Sequence, residues 1–493
     1  MMHKQSPIST IASAILLTSF LFFSFFLIRT GTVQAQQRTL KFEAGTKVLG
    51  ASDGELPFYL YTKELGTIDP QSTNSLSYFS AQSRLYERDD FYIAGDITAV
   101  GRLSEDNSIH LPIYQFSVNW HDFQFDAGRF ARPVTLNKQN LTTGSMIESD
   151  NAIPFNRIMI SNPVYKSVPF TNGVVEYKGM FSHGWLSDER FTKDVFIHQK
   201  DLFARVNLDK FTLHGGISHN VMWGGQNERF GKLPASFGDF IKVVTGDAGG
   251  DDAPSTEQQN RLGNTLLYFV FGLDYQFEEF ELSLTRSFLK EDTGSKDTRS
   301  PWDGIFGVNF DFQEKPFAGI IDHVLYEYYN TIRMQSKDEE ARGRGNFYNN
   351  GVYKTGWTSR GMVIGSSLAF FDEERGKVTN NMIIGHHLAF QGHITNRLEF
   401  ITKATYTRNY GNFTDHRNDV PFDGVSDPQA RKFFFERSNF REDQYSVLLG
   451  TSYALSGESR WLINTSVSWD IGELYSNNVG FSLGIQWNNI FNY

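Results

Sequence analysis

The last fourteen residues read GFSLGIQWNNIFNY (480–493). Every second position, counted back from the end, is Tyr493, Phe491, Asn489, Trp487, Ile485, Leu483 and Phe481. Side chains alternate between faces along a strand, so this stretch predicts a strand with one oily face and one polar face. A soluble sandwich has no reason to stop on the last residue of a strand. A membrane barrel does, because its final strand closes the ring and faces lipid with alternate residues.

Composition points the same way. The 493 residues include 45 Phe, 21 Tyr and 43 Gly but 14 Pro and no Cys. Length alone would suggest about two to four soluble domains. Yet aromatics make up 15% of a chain whose mean hydropathy is −0.37, many rings in a chain that is polar on average. Rings alternating with polar groups suit a surface that is oily on one side and wet on the other. A formal charge of −10 with no Lys/Arg run excludes a nucleic-acid partner, which needs a basic face.

The N-terminus supplies a compartment. A basic start (His3, Lys4) precedes an apolar stretch from Ala14 to Ile28, then Val33-Gln34-Ala35. Small residues at −1 and −3 predict a signal peptide over 1–35, cleaved after Ala35. Without Cys there is neither a lipid-modified cysteine nor a disulfide. No later stretch has the roughly 18–20 unbroken apolar residues of a spanning helix, so a membrane crossing must use strands.

Alternating runs recur along the mature chain, among them FYIAGDITAVGRL (91–103), PIYQFSVNW (112–120), DLFARVNLD (201–209), FELSLTRSF (280–288) and SRWLINTSVSWDIG (459–472). Some neighbours are joined by two residues, such as His121-Asp122, whereas 245–264 and 411–440 are long, polar connections. Period-two patterning fits a soluble sandwich equally well; the unequal connections and the terminal strand favour an all-β transmembrane antiparallel β-barrel in the bacterial outer membrane. Its expected size is about 16–18 strands, 18 favoured, over residues 91–493. Outer-membrane lipid and the barrel assembly machinery, which reads terminal aromatic strands, are expected partners. A cylinder this wide is not filled by its own wall. Residues 36–90 alternate poorly and predict a lead-in or plug segment, with a helix from Ser75 to Tyr86 capped by Asn74.

No catalytic arrangement emerges, and the expectation is a non-enzymatic protein without metal or cofactor. His386-His387 lie in a strand and point to opposite faces, so they cannot share a metal. Asp247, Asp251 and Asp252 sit in a Gly-rich loop but lack calcium-loop spacing. Two stretches break the alternation. HNVMWGG (219–225) runs into GKLPASFGDFIKVVTG (231–246), which carries an amphipathic turn, and YNNGVYKTGWTSRGMVIG (348–365) mixes rings with amides and charges. Rings beside hydrogen-bonding groups are how proteins hold sugars, although an aromatic girdle with a tight loop gives the same pattern.

These two blocks, with PFYLYTKELGTID (57–69), FTNGVVEYKGMFSHGWLSDERFTKDVFIHQKDLFAR (170–205), NNMIIGHHLAF (380–390) and YTRNYGNF (406–413), resemble the capsule assembly Wzi family, most closely its Bacteroidetes-type members. The resemblance spans nearly the whole mature chain. It implies an 18-stranded outer-membrane barrel occluded by internal segments, which binds or organises capsular or extracellular polysaccharide at the cell surface. Within the matching blocks, side-chain chemistry selects Trp185, His219, Trp223, Asp239, Tyr348, Asn349, Trp357 and Arg360 as glycan-contact candidates. Enterobacterial members carry a periplasmic helical bundle, for which only the 75–86 segment is a candidate here. A porin-like channel for sugars or small solutes is the alternative.

Overall fold

The computed structural model describes residues 39–71, 73–291, 302–312, 316–334, 346–412, 441–455 and 460–492. The expected signal peptide and Tyr493 lie outside them. The wall strands in chain order are β1 (Thr39–Ala51), β2 (Asn74–Arg88), β3 (Phe91–Leu103), β4 (Ser108–Trp120), β5 (Phe123–Arg129) and β6 (Asn156–Ser161). Then follow β7 (Val175–Trp185), β8 (Phe196–Leu208), β9 (Phe211–Trp223), β10 (Asn264–Gln276), β11 (Glu281–Glu291) and β12 (Gly304–Asp311). The ring is completed by β13 (Ile321–Asn330), β14 (Ile383–Thr395), β15 (Leu398–Asn409), β16 (Glu442–Ala454), β17 (Trp461–Gly472) and β18 (Asn478–Asn492). The sheet has 19 strands; one, Lys166–Ser167, is a two-residue piece beside β7, which leaves eighteen in the wall. Each pairs antiparallel with its neighbours, and β18 returns to β1 from Thr39↔Asn492 to Ala51↔Gly480, closing the cylinder.

The end where β1 begins carries tight turns. Asp89, His121 and Asp209 start two-residue connections with positive φ (49°, 52° and 50°), the geometry of primed hairpin turns and one that Asp tolerates best after Gly and Asn. The other end carries the long connections, including 130–155, 224–263 and 331–382. This inequality is that of outer-membrane barrels.

Alternate residues form an exposed apolar exterior: Phe123 and Phe125 on β5, Leu202 on β8, Ile217 on β9, and Phe481, Leu483 and Ile485 on β18. Such a belt is a liability in water and a gain in lipid, about 1.5–3 kcal/mol for each large side chain fully removed from water. In the closing strand the expected row departs from the pattern at Asn489, which is buried, while Ile490 beside it is exposed.

The inward face is polar and buried. Gln199, Asp201, Asn220 and Glu327 point inward, where segments 52–71, 130–155 and 346–382 lie against the wall. Glu327 accepts hydrogen bonds from Asn137 Nδ2 (2.7 Å) and from the Thr143 N–H and hydroxyl (2.8 Å each). Phe58 N, at the start of α1 (Phe58–Tyr61), donates to Asp470 at 2.8 Å. A large cluster joins Ile147, Trp357 and Tyr348 from these segments to Tyr268, Leu289, Ile305 and Tyr329 of the wall.

The expected lead-in over 36–90 is corrected. Thr39–Ala51 and Asn74–Arg88 are wall strands, and the Ser75–Tyr86 helix is instead most of β2, laddered to β1 and β3 on its two sides. Asn74 does not cap a helix. Its side chain bridges the turn before it, accepting from Asp69 N (3.0 Å) and donating to Asp69 O (2.7 Å). Local helix signals lose here because two unpaired ladders would otherwise be left beside the seam.

Candidate functional site

The long connections enclose an open groove of about 1620 Å³ at their end of the cylinder. Its lining comes mainly from 55–71, 187–191, 354–376 and 474–478, four segments far apart in sequence. Thr358–Ser359 and Met362–Val363 pair as a short hairpin. Its turn residues Arg360 and Gly361 both have positive φ (50° and 79°), which glycine adopts freely and arginine only when held. The hold comes from 187–191. The buried Arg190 guanidinium donates to the carbonyls of Gly356 (2.9 Å) and Thr358 (3.1 Å) and pairs with Asp188 at 3.3 Å. Asp188 in turn accepts the Arg360 N–H at 3.0 Å. Burial lowers the Arg190 pKa from its ordinary value, against the opposing pull of Asp188.

Aromatic rings lie beside these charges. The Lys354 ammonium stands 4.5 Å over the Phe191 ring, a cation–π contact. Phe370 and Phe371 line the groove with Tyr475, whose ring stacks on Phe58 at 6.0 Å. Burial lifts the Tyr475 phenol well above its ordinary value, so it keeps its proton and its capacity to donate. Lys354 and Arg360 are exposed and have no carboxylate partner among the described residues. Rings, hydroxyls and cations in one concave surface, beside the carboxylates of Glu55, Asp372, Glu373 and Glu374, can stack on C–H faces and exchange hydrogen bonds with hydroxyl groups.

Of the eight candidates, Arg360 alone lines this groove. Three lie beneath it as structure. Trp357 is fully buried with Nε1 donating to Ile147 O at 2.6 Å. Tyr348 is buried with its hydroxyl donating to Met146 O at 2.8 Å. Asn349 exchanges hydrogen bonds with the Val378 backbone, 2.9 and 3.0 Å. The other four are on the outer side of the wall. Trp185 is exposed in the outward row of β7, with Tyr177 and Phe181, in the position of an aromatic girdle. His219 and Trp223 are buried in the outward row of β9, beneath α2 (Phe237–Thr245). Asp239 accepts from Ser236 N (3.0 Å) and the Ser236 hydroxyl (2.7 Å) in the capping box of α2. Burial would raise its carboxyl, but these bonds and Lys242 bring it below the usual range. The assignment of these buried side chains to glycan contact is therefore corrected: Tyr348, Asn349, Trp357 and Asp239 commit polar atoms to the fold, and His219 and Trp223 are covered by α2, their Nδ1 and Nε1 buried without a hydrogen-bond partner among the described residues. Lys354, Asp188, Phe191, Phe371 and Tyr475 were not selected, though the first three stood in the quoted blocks.

His387 is inward, bonded to Thr405 (2.8 Å) and Leu141 O (2.7 Å), whereas His386 meets Tyr326 on the other face. Among the described residues no group of three or more His, Asp or Glu is placed to hold a metal ion. A second cavity, about 920 Å³, opens within the cylinder and is lined by Glu43, Lys47, Tyr78, Gln391 and Gln486. Leu65 and Thr67 line it, while Thr62, Gly66 and Ile68 line the groove, so residues 62–68 lie between the two.

Known proteins bear on this arrangement. The family model described as capsule assembly protein Wzi matches residues 60–385. Among solved structures, Wzi of Escherichia coli, an outer membrane protein involved in group 1 capsule assembly and a carbohydrate-binding β-barrel, aligns with a TM-score of 0.56 at 13% identity, covering 92% of this chain and 84% of that one. OprD of Pseudomonas aeruginosa aligns over 94% of this chain and 99% of its own at 7% identity, with a TM-score of 0.45. OpdL of the same organism covers 92% and 98% at 10% identity, also with a TM-score of 0.45. No curated protein sequence matches the chain.

Proposed function

We infer that this protein, which belongs to the capsule assembly protein Wzi family and is an outer-membrane β-barrel, binds capsular or extracellular polysaccharide and anchors or organises it at the cell surface. The observation that carries the reading is the groove at the long-loop end, where Arg360 and Lys354 stand beside Phe191, Phe371 and Tyr475. Its role is lectin-like and non-enzymatic: the groups that line it suit stacking and hydrogen bonding. The inward segments act as a plug, which the position of 62–68 between two cavities supports; the channel alternative has less support for the same reason. Outer-membrane lipid surrounds the exterior, and the barrel assembly machinery inserts the chain.

The test is binding of purified protein to polysaccharide from the same cells, by calorimetry. The double variant Arg360→Ala/Lys354→Ala is expected to lose about 1–3 kcal/mol of affinity, on the scale of aromatic and arginine hot spots. Equal affinity in the variant and the parent would remove the groove from the function.

A further inference from the structure

One stretch of the long-loop end turns outward. Leu233 still packs in the inner cluster, and from α2 to Leu262 the chain lies on the exterior of the wall. Phe240 of α2 sits with its ring 5.4 Å from His183, 5.7 Å from His198 and 5.9 Å from Trp223. Val243 joins Val221, Trp223, Ala253 and Leu262 in a cluster separate from the large inner one. His183, His198 and Val221 stand in rows that continue, on the same faces of β7, β8 and β9, into the exposed Phe181, Leu202 and Ile217. The opposite row carries Gln199 and Asn220, bonded inward to Glu148 and to each other. The helix is fixed at both ends. Ser236 and Asp239 form its capping box, Gly246 closes it at φ 79°, and the Lys200 ammonium from the wall donates to Val244 O.

Phe240 and Val243 are turned to the wall, and the same apolar face continues past them to Phe237, 78% exposed and 6.3 Å from the Phe240 ring, and Ile241, 44% exposed, one turn apart, while Gly238, Lys242 and Thr245 lie on the opposite side. A helix whose wide apolar face extends beyond the wall it packs on, with a charged face opposite, is characteristic of one lying in the plane of a membrane interface. Its charged pair, Asp239 and Lys242, is self-satisfied at 3.2 Å. We propose that α2 is an in-plane membrane helix seated in the outer leaflet against β7–β10, with Phe237 and Ile241 in contact with lipid acyl chains. The continuity of this face with the exposed Leu202, Ile217 and Phe271 of the lipid-facing wall is what commits the occupant to lipid and not to a second protein.

The chain has no cysteine, so single-cysteine spin labelling reads each site without background. Full-length mature protein is reconstituted into phosphatidylethanolamine–phosphatidylglycerol vesicles with a nitroxide at Phe237→Cys, Ile241→Cys, Phe271→Cys (lipid-facing wall) or Lys354→Cys (groove). Collision with oxygen and with a water-soluble nickel chelate is measured. Labels at 237 and 241 are expected to match that at 271, with high oxygen access and loss of nickel access. Nickel access equal to that at 354 would place α2 in water and overturn the proposal. Low access to both reagents would overturn it in favour of a protein partner. Nickel access at 271 would instead sink the membrane placement on which it rests, and with it the helix assignment.

Discussion

Arg157 is fully buried on the inward face, where its guanidinium donates to Glu148 at 3.2 Å and to Gln199 at 3.0 Å. Burial would raise the Glu148 carboxyl, but Arg157 and Arg132 beside it hold it below the usual carboxylate range. Removing one partner leaves the other charged and dry, so Arg157→Ala is expected to cost about 3–5 kcal/mol of stability, read as a lowered temperature of the gel-mobility shift that marks barrel unfolding. Trp357→Ala is expected to act similarly, at about 3–5 kcal/mol, because it empties a closed site and frees the Ile147 carbonyl. Arg360→Ala, at an exposed turn, is expected to leave that temperature unchanged while weakening glycan binding. Side-chain chemistry alone had placed Trp357 and Arg360 in one class. What separates them is where the 348–365 loop folds back, and that depends on Arg190 and Asp188 more than a hundred and fifty positions away.

At the scale of elements, strands were legible because a wall between lipid and a polar interior forces period-two alternation on each of them. The failures have physical causes. β2 carries a plausible cap in Asn74 and a mixed pattern, so only its partners β1 and β3 determine its state. The loop 224–263 was seen to break alternation, but nothing in its pattern says on which side of the wall it lies. That loop also holds a titrating group. Glu257, in α3 (Ser255–Gln259), has Oε1 buried without a hydrogen-bond partner while Oε2 accepts from Gly263 N at 3.0 Å. Burial pushes its carboxyl up from 4.5 to about 7 despite that bond. The folded loop therefore binds a proton that the unfolded loop releases. Stability from this group is full below pH 4.5 and falls as pH rises to 7, by at most about 3 kcal/mol. Amide protection factors in 246–263, exchange rates divided into the base-catalysed intrinsic rate at each pH, are expected to be lower at pH 8 than at pH 5, and Glu257→Gln to abolish the difference. Equal protection factors in the parent at both pH values would contradict the assignment.

For the whole molecule, the inward segments and the residues between the two cavities lead to an expectation of negligible current: purified protein in planar bilayers should conduct far less than an open barrel of this circumference. A large steady current would return the channel reading. Cells lacking the protein are expected to make polysaccharide but shed it into the medium, and unchanged retention would remove the anchoring role. The barrel and its size were foreseeable from alternation, connection lengths and the closing strand. The groove was not, since it exists only where four loops converge, and convergence over the mouth of a cylinder has no signature in any one of them.

The pairing of Thr39 with Asn492 makes the polypeptide almost a hoop. The two ends of the wall are adjacent at the tight-turn rim, so a short linker could join them and a new start could be cut at a different hairpin without altering any neighbour relation. The same fact sets an order on biogenesis: the seam cannot zip until the last strand has been delivered, and until then the first strand must keep its free edge guarded by something other than its final mate.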